Sequence, residues 1–469
     1  MEKLIELFTS HYGCAPEKIE PLRGAGSNRK YFRMHLNNIS VIGTEGCERQ
    51  ENEAFLELDR FFKKHHLPVP EVIAVSDDST VYIQQDLGDD SLYKLIMRPG
   101  VTSDEAYGLL KDTLTVLAGF HAAGVKGLDL DKCYPRKAMD RMSVMWDLYY
   151  FKYCFLKLAG VNVYEVALEK EFDKICDVVA TEKSNSLILR DFQSRNVMIH
   201  HGQPFVIDFQ GARMGNPFYD VASFLWQARI ALPDVLKWQL AREYVDAAGQ
   251  LGLLYDSEWP RQLKLMALFR MLQVLGAYGF RGLHEHKAEF VTNIPTAIEN
   301  ALNLIEELSA DEFPYLKSVL TQLSADSRFI SAPSTDRLTV KVYSFSYKKG
   351  IPEDFTGNGG GFVFDCRAIH NPGRYDEYKQ LTGLDAPVRE FLENDGEVLT
   401  FLDSCYSLVD NAVSRYVKRG FTNLSVSFGC TGGRHRSVYS AQAMAQHIAS
   451  LFDVDVVLIH REQNIIERL

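Results

Sequence analysis

Residues 187–211 read LILRDFQSRNVMIHHGQPFVIDFQG. A short apolar run gives way to a polar loop, then to a second run (Val197, Met198, Ile199). A Gly-Gln-Pro turn follows, and a third run (Phe205, Val206, Ile207) stops at Asp208-Phe209-Gln210. Brief apolar runs broken by turn formers predict short strands that hold polar side chains on the loops between them. Asp191 and Asn196 lie five apart on the first loop, and Asp208 stands where the last strand runs out.

These three side chains supply the parts that phosphoryl transfer from ATP requires. A carboxylate must orient and deprotonate the attacking hydroxyl, and oxygen ligands must hold Mg²⁺ against the β- and γ-phosphates. Asp191 is the candidate base, and Asn196 and Asp208 are the candidate metal ligands. Loop carboxylates often do no more than cap turns. Turn capping does not account for all three positions together, nor for the Asn216-Pro-Phe-Tyr-Asp220 segment that opens the next helix.

Composition sets the outer bounds. A chain of 469 residues predicts two to four units at roughly 150 residues each. Hydrophobic content of 46 % and charged content of 24 % are those of a soluble globular protein. Lys plus Arg number 51 against 62 Asp plus Glu, and the net charge of -11 argues against a general polyanion-binding surface. The opening MEKLIELFTSHYG interleaves charges with its apolar residues, unlike a signal peptide. No run approaches the roughly 20 apolar residues of a membrane span. Eight scattered cysteines without a C-x-x-C pair suit reduced thiols, so a cytoplasmic location is expected.

Taken in order, residues 2–13 predict a short amphipathic helix. Gly24-Ala-Gly-Ser-Asn28 then precedes an alternating run containing Tyr31, Phe32 and Met34. Gly24, Gly26, Ser27 and Asn28 could lay backbone N–H groups over phosphates, although an ordinary hairpin turn explains the stretch equally well. Helical spacing recurs over 104–123, with Gly124 as C-cap, and over the aromatic-rich 138–158. His121 reads as a packed helix-end histidine, and Asp220 as a structural tie to the catalytic loop. Residues 218–308 continue as successive helices. The Ser-, Pro- and Asp-rich stretch 326–336 reads as a linker.

The 187–211 stretch resembles the catalytic and metal-binding loops of the aminoglycoside-phosphotransferase and protein-kinase-like superfamily, with Leu189 in place of the His of H-R-D. Ser27-Asn-Arg-Lys-Tyr-Phe-Arg33, Gln85-Asp-Leu-Gly-Asp89 and Phe269-Arg-Met-Leu-Gln-Val-Leu-Gly276 look most like the bacterial cell-wall amino-sugar kinases. The resemblance implies ATP and Mg²⁺ as cofactors. It implies an N-acetylmuramate- or N-acetylglucosamine-like acceptor, and nucleotide contacts from Gln85, Asp86 and Leu87 at the hinge between lobes. It also exposes a departure: Ser40 to Thr44 reads SVIGT, without the phosphate-pairing Lys of the superfamily. Arg29, Lys30 and Arg33 are candidate substitutes. Glu53 stands in the place of the superfamily's helix Glu, with an exposed helix charge as the plainer reading.

Beyond residue 336 strands and helices alternate, which predicts an α/β layer with a largely parallel sheet. At its centre Ser427-Phe-Gly-Cys-Thr-Gly-Gly-Arg-His-Arg-Ser437 runs from a strand through glycines onto a helix N-terminus. Orphan N–H groups and two guanidinium groups could converge there on a phosphate. The same loop satisfies C-x₅-R, the tyrosine-phosphatase pattern, in which Cys430 would be a nucleophile. From Leu338 to Glu462, including Asn371-Pro372 and Thr382-Gly-Leu-Asp385, the sequence resembles the C-terminal domain of RapZ, an RNase adapter family. That likeness implies a phosphosugar site formed by Asp365, Arg367, Cys430, Thr431, Gly432, Gly433, Arg434, His435, Arg436 and Ser437, and self-association through this domain. Gly373 replaces a ligand-contacting His of that family. Residues 336–469 hold 15 Lys plus Arg and 17 Asp plus Glu, a net of -2, so a phosphosugar is favoured over RNA.

The expected protein has an α+β, protein-kinase-like bilobal domain over residues 1–325, with a small antiparallel β lobe to about residue 88 and a larger helical lobe. After the linker, residues 337–469 form a smaller α/β domain with a mostly parallel sheet. The expected activity is that of an ATP-dependent phosphotransferase with an alcohol acceptor. Choline, another amino alcohol or an aminoglycoside are alternative acceptors. A pseudokinase scaffold with a ligand-sensing or RNA-adapter role is the alternative from another class.

Overall fold

Alternating β-branched and aromatic residues over the first part of the chain produce an antiparallel sheet. Its strands are β1 (Lys18–Leu22), β2 (Lys30–Leu36), β3 (Ile39–Glu45), β4 (Val72–Val75) and β5 (Val81–Gln85), in the order β1-β2-β3-β5-β4. This is a computed structural model, and it describes residues 1–22, 29–46, 48–181, 185–329, 337–354 and 360–469. One face of the sheet is covered by helix α1 (Glu2–Tyr12), whose Leu4 and Phe8 pack on Met34, Val41 and Ile83. Gly43 on β3 belongs to that packing, because a Cβ there would lie 2.6 Å from a Leu4 methyl. Helix α2 (Arg49–Lys64) turns Phe55, Leu58 and Phe62 inward.

Asp59 of α2 is buried, and burial pushes its carboxyl up to about 6. A folded-state pKa above the unfolded value means that ionisation costs stability as pH rises from the ordinary aspartate range through the folded pKa. Asp59→Asn should therefore raise the thermal midpoint at pH 7.5 and lose that advantage near pH 4. An equal effect at both values would contradict this reading.

Helices α3 (Leu92–Met97), α4 (Asp104–Ala123), α5 (Arg141–Phe151) and α6 (Glu165–Val179) begin the helical lobe. Helix α4 is capped by Ser103, whose hydroxyl accepts from Ala106 N, and ends at Gly124 with φ +62°. The 187–211 stretch forms strand β6 (Leu187–Ile188) and the hairpin β7 (Val197–His200) and β8 (Gln203–Val206). The expected Gly-Gln-Pro turn sits one residue earlier, at His201-Gly202. Both residues have positive φ, which matches the twist of a two-residue hairpin. Strand β9 (Arg213–Met214) pairs with β6. Helices α7 (Phe218–Leu225), α8 (Asp234–Gln250), α9 (Trp259–Tyr278), α10 (Ala288–Val291), α11 (Ile294–Leu308) and α12 (Pro314–Ser324) follow. By composition Trp259–His284 is long and apolar enough to cross a membrane, but 67 % of its apolar window is buried within the protein.

The described residues divide into two units, Met1–Ala277 with Thr296–Thr321, and Tyr278–Pro295 with Gln322–Leu469. The second unit thus takes in Tyr278–Pro295, which the sequence reading assigns to the helical lobe. Residues 330–336 of the expected linker lie outside the described residues. The sheet of the second unit contains β10 (Thr339–Ser346), β11 (Phe362–Asp365), β12 (Asn423–Cys430), β13 (Asp455–His460) and β14 (Ile465–Arg468). Its order is β11-β12-β10-β13-β14, parallel except for β14 at the edge. Helices α13 (Ala386–Asp395), α14 (Glu397–Lys418) and α15 (Arg436–Leu451) join these strands in one core with Val342, Val426, Phe428 and Leu458.

Candidate active site

The first unit brings the three singled-out residues together. Asn196 Nδ2 donates to the backbone oxygen of Asp191 at 2.9 Å and to Asp208 Oδ2 at 3.4 Å. With its amide nitrogen engaged, Asn196 has its oxygen to offer a cation. Asp208 also accepts from Gln210 Nε2 at 2.9 Å. Phe209 anchors it from the next position: its ring stacks on Phe55 at 4.8 Å, and Phe55 stacks in turn on Tyr82 at 4.8 Å.

Arg190 and Asp208 both adopt left-handed backbone, at φ +72° and +62°. Such strain at a non-glycine residue persists only where neighbours over-determine it. Asp220 supplies much of that constraint. Its two carboxylate oxygens accept from Leu189 N at 2.6 Å and Arg190 N at 2.9 Å, and His121 Nε2 lies 3.1 Å away. His121 Nδ1 meets the Tyr244 hydroxyl at 2.7 Å, so a buried polar chain reaches the loop from α8 through α4 and α7. Asp220 therefore ties the loop, as expected, and His121, expected as a packed helix-end histidine, is buried and also meets the Asp220 carboxylate. The Arg190 side chain pairs with Asp147 of α5 at 2.6 Å.

Asp191 is 51 % exposed, which leaves its carboxylate accessible from solvent. One carboxylate oxygen lies 3.6 Å from Arg270 Nη2 on α9. Arg270 is only 6 % exposed and is fixed by the Tyr219 hydroxyl at 3.2 Å and by Gln273. The sequence marks Phe269-Arg270 only as part of a likeness. On a helix apolar on all sides, no periodicity shows which side chain turns toward the loop.

The donor set fits Mg²⁺. Burial first, and the Asp191 charge second, hold the Asp208 carboxyl above its ordinary range, a cost that a divalent cation would relieve. No three His, Cys, Asp or Glu side chains gather as a metal cage among the described residues. Mg²⁺ in phosphoryl transfer needs none, because phosphate oxygens and water complete its octahedron around one or two protein ligands.

The remaining expected nucleotide contacts fall differently. Gly24, Gly26, Ser27 and Asn28 lie outside the described residues. Gln85 ends β5, its N–H donating to Glu71 O at 2.8 Å. Asp86 binds Arg33 at 2.7 Å and accepts from Ser40 Oγ at 2.5 Å, which occupies both Asp86 and one candidate cation. Leu87 O lies 3.2 Å from His200 Nδ1. Glu53 is half-buried and pairs with Arg49 at 2.8 Å within its own helix.

In the second unit, β10 and β12 end side by side, with Ser346 in register with Cys430. Ser346 Oγ donates to Thr431 O at 2.7 Å. Thr431 and Gly432 are exposed, while Gly433, at φ +64°, donates its N–H to Cys430 Sγ at 3.2 Å. The Ser437 hydroxyl lies 3.1 Å from the same sulfur. Arg434 donates to Lys379 O at 2.9 Å, and His435 Nε2 lies 2.9 Å from Tyr378 O. Arg436 is buried, and its Nη1 donates to Arg367 O at 2.8 Å and Ile369 O at 2.7 Å. Its guanidinium therefore braces the turn after β11. Asp365 and Arg367 are exposed and paired at 2.7 Å, with the Arg367 guanidinium 4.1 Å over the Tyr347 ring.

Comparison with known proteins agrees with this division. Residues 18–254 match the phosphotransferase enzyme family, and residues 338–464 match the RapZ C-terminal domain. A nucleotide-binding protein of Xanthomonas euvesicatoria is 39 % identical over 289 residues, 60 % of this chain and 96 % of that one. Among solved structures, a thermostable mutant of aminoglycoside phosphotransferase APH(4)-Ia is similar at 16 % identity and TM-score 0.43, over 65 % of this chain and 99 % of that one. A choline kinase of Cryptosporidium parvum is similar at 11 % identity and TM-score 0.43, over 65 % and 93 %. With its family match spanning just over half its length, the chain belongs to the phosphotransferase enzyme family and carries a RapZ C-terminal domain after the kinase-like one.

Proposed function

We propose that this chain is an ATP- and Mg²⁺-dependent small-molecule kinase that phosphorylates a hydroxyl of an amino sugar such as N-acetylmuramate or N-acetylglucosamine. The observation that carries the reading is the junction at Asn196, whose one side chain ties the Asp191 backbone to the Asp208 carboxylate. Asp191 accepts the acceptor's proton and aligns its oxygen for in-line attack. Asn196 and Asp208 hold the cation, which when bound neutralises charge between the β- and γ-phosphates. Arg270 keeps the Asp191 carboxylate oriented from the helical side and sets positive charge beside the reacting oxygen.

The RapZ-like domain binds a phosphosugar at the Cys430 to Ser437 loop, with Asp365 and Arg367 at its margin, and through it regulates the kinase. Self-association runs through this domain, RNA is the less favoured ligand, and the protein works in the cytoplasm. A Cys430 phosphatase is disfavoured, since Arg436, the residue that would clasp a phosphoryl group, is bonded to two backbone carbonyls instead.

The test is a transfer assay with γ-labelled ATP against N-acetylmuramate, N-acetylglucosamine, choline and an aminoglycoside, with and without glucosamine-6-phosphate. Label on an amino sugar, at a rate that changes with glucosamine-6-phosphate, is the expected result. Label on choline or the aminoglycoside alone would overturn the acceptor. Tight ATP binding with no labelled product would favour a scaffold.

A further inference from the structure

Of the six residues from Asp191 to Asn196, only Asp191 and Arg195 are exposed. Phe192 is buried with its ring 5.2 Å from that of Phe224, and the Ser194 hydroxyl donates to Gln227 Oε1 at 2.9 Å, so both side chains turn into the helical lobe. Asn196 also turns inward, toward Asp208. The loop thus offers solvent one carboxylate and one guanidinium.

The other guanidinium groups near this loop are engaged. Arg190 pairs with Asp147, Arg213 donates to the Gly211 and Tyr134 carbonyls, and Arg270 is held by Tyr219, Gln273 and Asp191. In the β lobe Arg29 is engaged by Glu51 and Tyr31, and Arg33 by Asp86 and Asp89. Arg195 makes no hydrogen bond and no ion pair among the described residues. Its charge is nonetheless felt at Asp208, where it opposes the burial and the Asp191 charge that raise that carboxyl. An exposed arginine is ordinarily a solvated surface charge. Here its place decides otherwise, because the candidate base and a candidate metal ligand bracket it on one short loop, and all five of its N–H donors are left for a ligand.

We propose that Arg195 is a catalytic residue that binds the transferring phosphoryl group as negative charge spreads over its equatorial oxygens. The proposal rests on the kinase reading. In the step itself the acceptor oxygen gives its proton to Asp191 and forms the new bond to the γ-phosphorus. The bond from that phosphorus to the β–γ bridging oxygen breaks, and ADP leaves with the electron pair. Arg195 gains and loses no proton, and its planar fork donates to two of the oxygens at once. Strand β3 has no lysine to share that charge. Because the contact is stronger in the transition state than toward bound nucleotide, it acts on turnover and leaves nucleotide affinity alone.

The test is calorimetric titration of the full chain, with Mg²⁺ present, by ADP alone and by ADP with aluminium fluoride, which stands in for the phosphoryl group in transfer. Wild type should bind ADP more tightly with the fluoride. Arg195→Met should weaken the fluoride complex about 100-fold, the cost of removing one donor at a developing charge, and hold ADP alone within about twofold. Arg195→Lys should keep part of the gain. Wild-type tightening in Arg195→Met would overturn the proposal and leave the kinase reading intact. The same holds for an effect confined to the KM of N-acetylmuramate, which would make Arg195 a partner of the acceptor's carboxylate. Equal weakening of ADP alone would mean that Arg195 supports the fold or the resting nucleotide, and would also overturn it. No ADP binding by the wild-type chain would remove the kinase reading and this proposal together. If Arg195→Met does not fold, Arg195→Gln takes its place and the same outcomes decide.

Discussion

Asp191→Asn should lower acceptor phosphorylation by about a thousandfold, the usual yield of a positioned general base, while ATP affinity stays within about twofold. The substitution is nearly isosteric. It removes the proton acceptor but keeps the backbone oxygen that Asn196 binds, so the loop and the cation ligands stay in place. Arg270 lies 3.6 Å from this side chain and would lose its ionic partner without losing Tyr219 or Gln273. A fall in ATP affinity parallel to the fall in rate would mean that Asp191 serves the nucleotide and not the acceptor.

Asp208→Asn should be as damaging to turnover and harmless to the fold. A ligand that anchors the cation on the phosphates contributes several kcal/mol of charge stabilisation, or about 100- to 1,000-fold in rate. In the metal-free protein the same carboxyl is held above its ordinary range by burial and by Asp191. Above that raised pKa its ionised form costs stability, so the amide should melt no lower than wild type at pH 7.5. Any gain should disappear as pH falls below the unfolded aspartate value. Protons and metal compete for this group, so cation affinity should begin to fall at a pH higher than an ordinary aspartate would give. A variant that loses both activity and thermal stability would show Asp208 to be a structural carboxylate.

The sequence made some parts of this site legible and hid others, for physical reasons. Asp191, Asn196 and Asp208 were readable because their loops are bounded by short apolar runs, and the distance between strand ends leaves little freedom. Asp220 was readable as a loop tie because it opens a helix directly after the hairpin. Glu53 and Glu51 are two residues apart on a helix and face nearly opposite ways, so Glu53 pairs with Arg49 while Glu51 lies 3.8 Å from Arg29, a difference that spacing alone does not show. Arg270 was hidden because α9 is apolar around its circumference.

In the second unit the alternation of strands and helices predicted the parallel sheet. Edge strand β14 and helix α13 are short, and periodicity over so few residues decides little. The two arginines of the Cys430 loop read alike in sequence, yet Arg436 turns into the carbonyls of Arg367 and Ile369 while Arg434 stays exposed. That difference depends on where β11 ends, and a loop sequence does not encode it.

The most direct measurement is a Mn²⁺ titration of the full chain in the presence of ADP, followed by electron paramagnetic resonance. Wild type should bind the ion in a nucleotide-dependent way, Asn196→Ala should weaken that binding, and Asp208→Asn should abolish it. Nucleotide-dependent Mn²⁺ binding of undiminished affinity in Asp208→Asn would contradict the account at its centre.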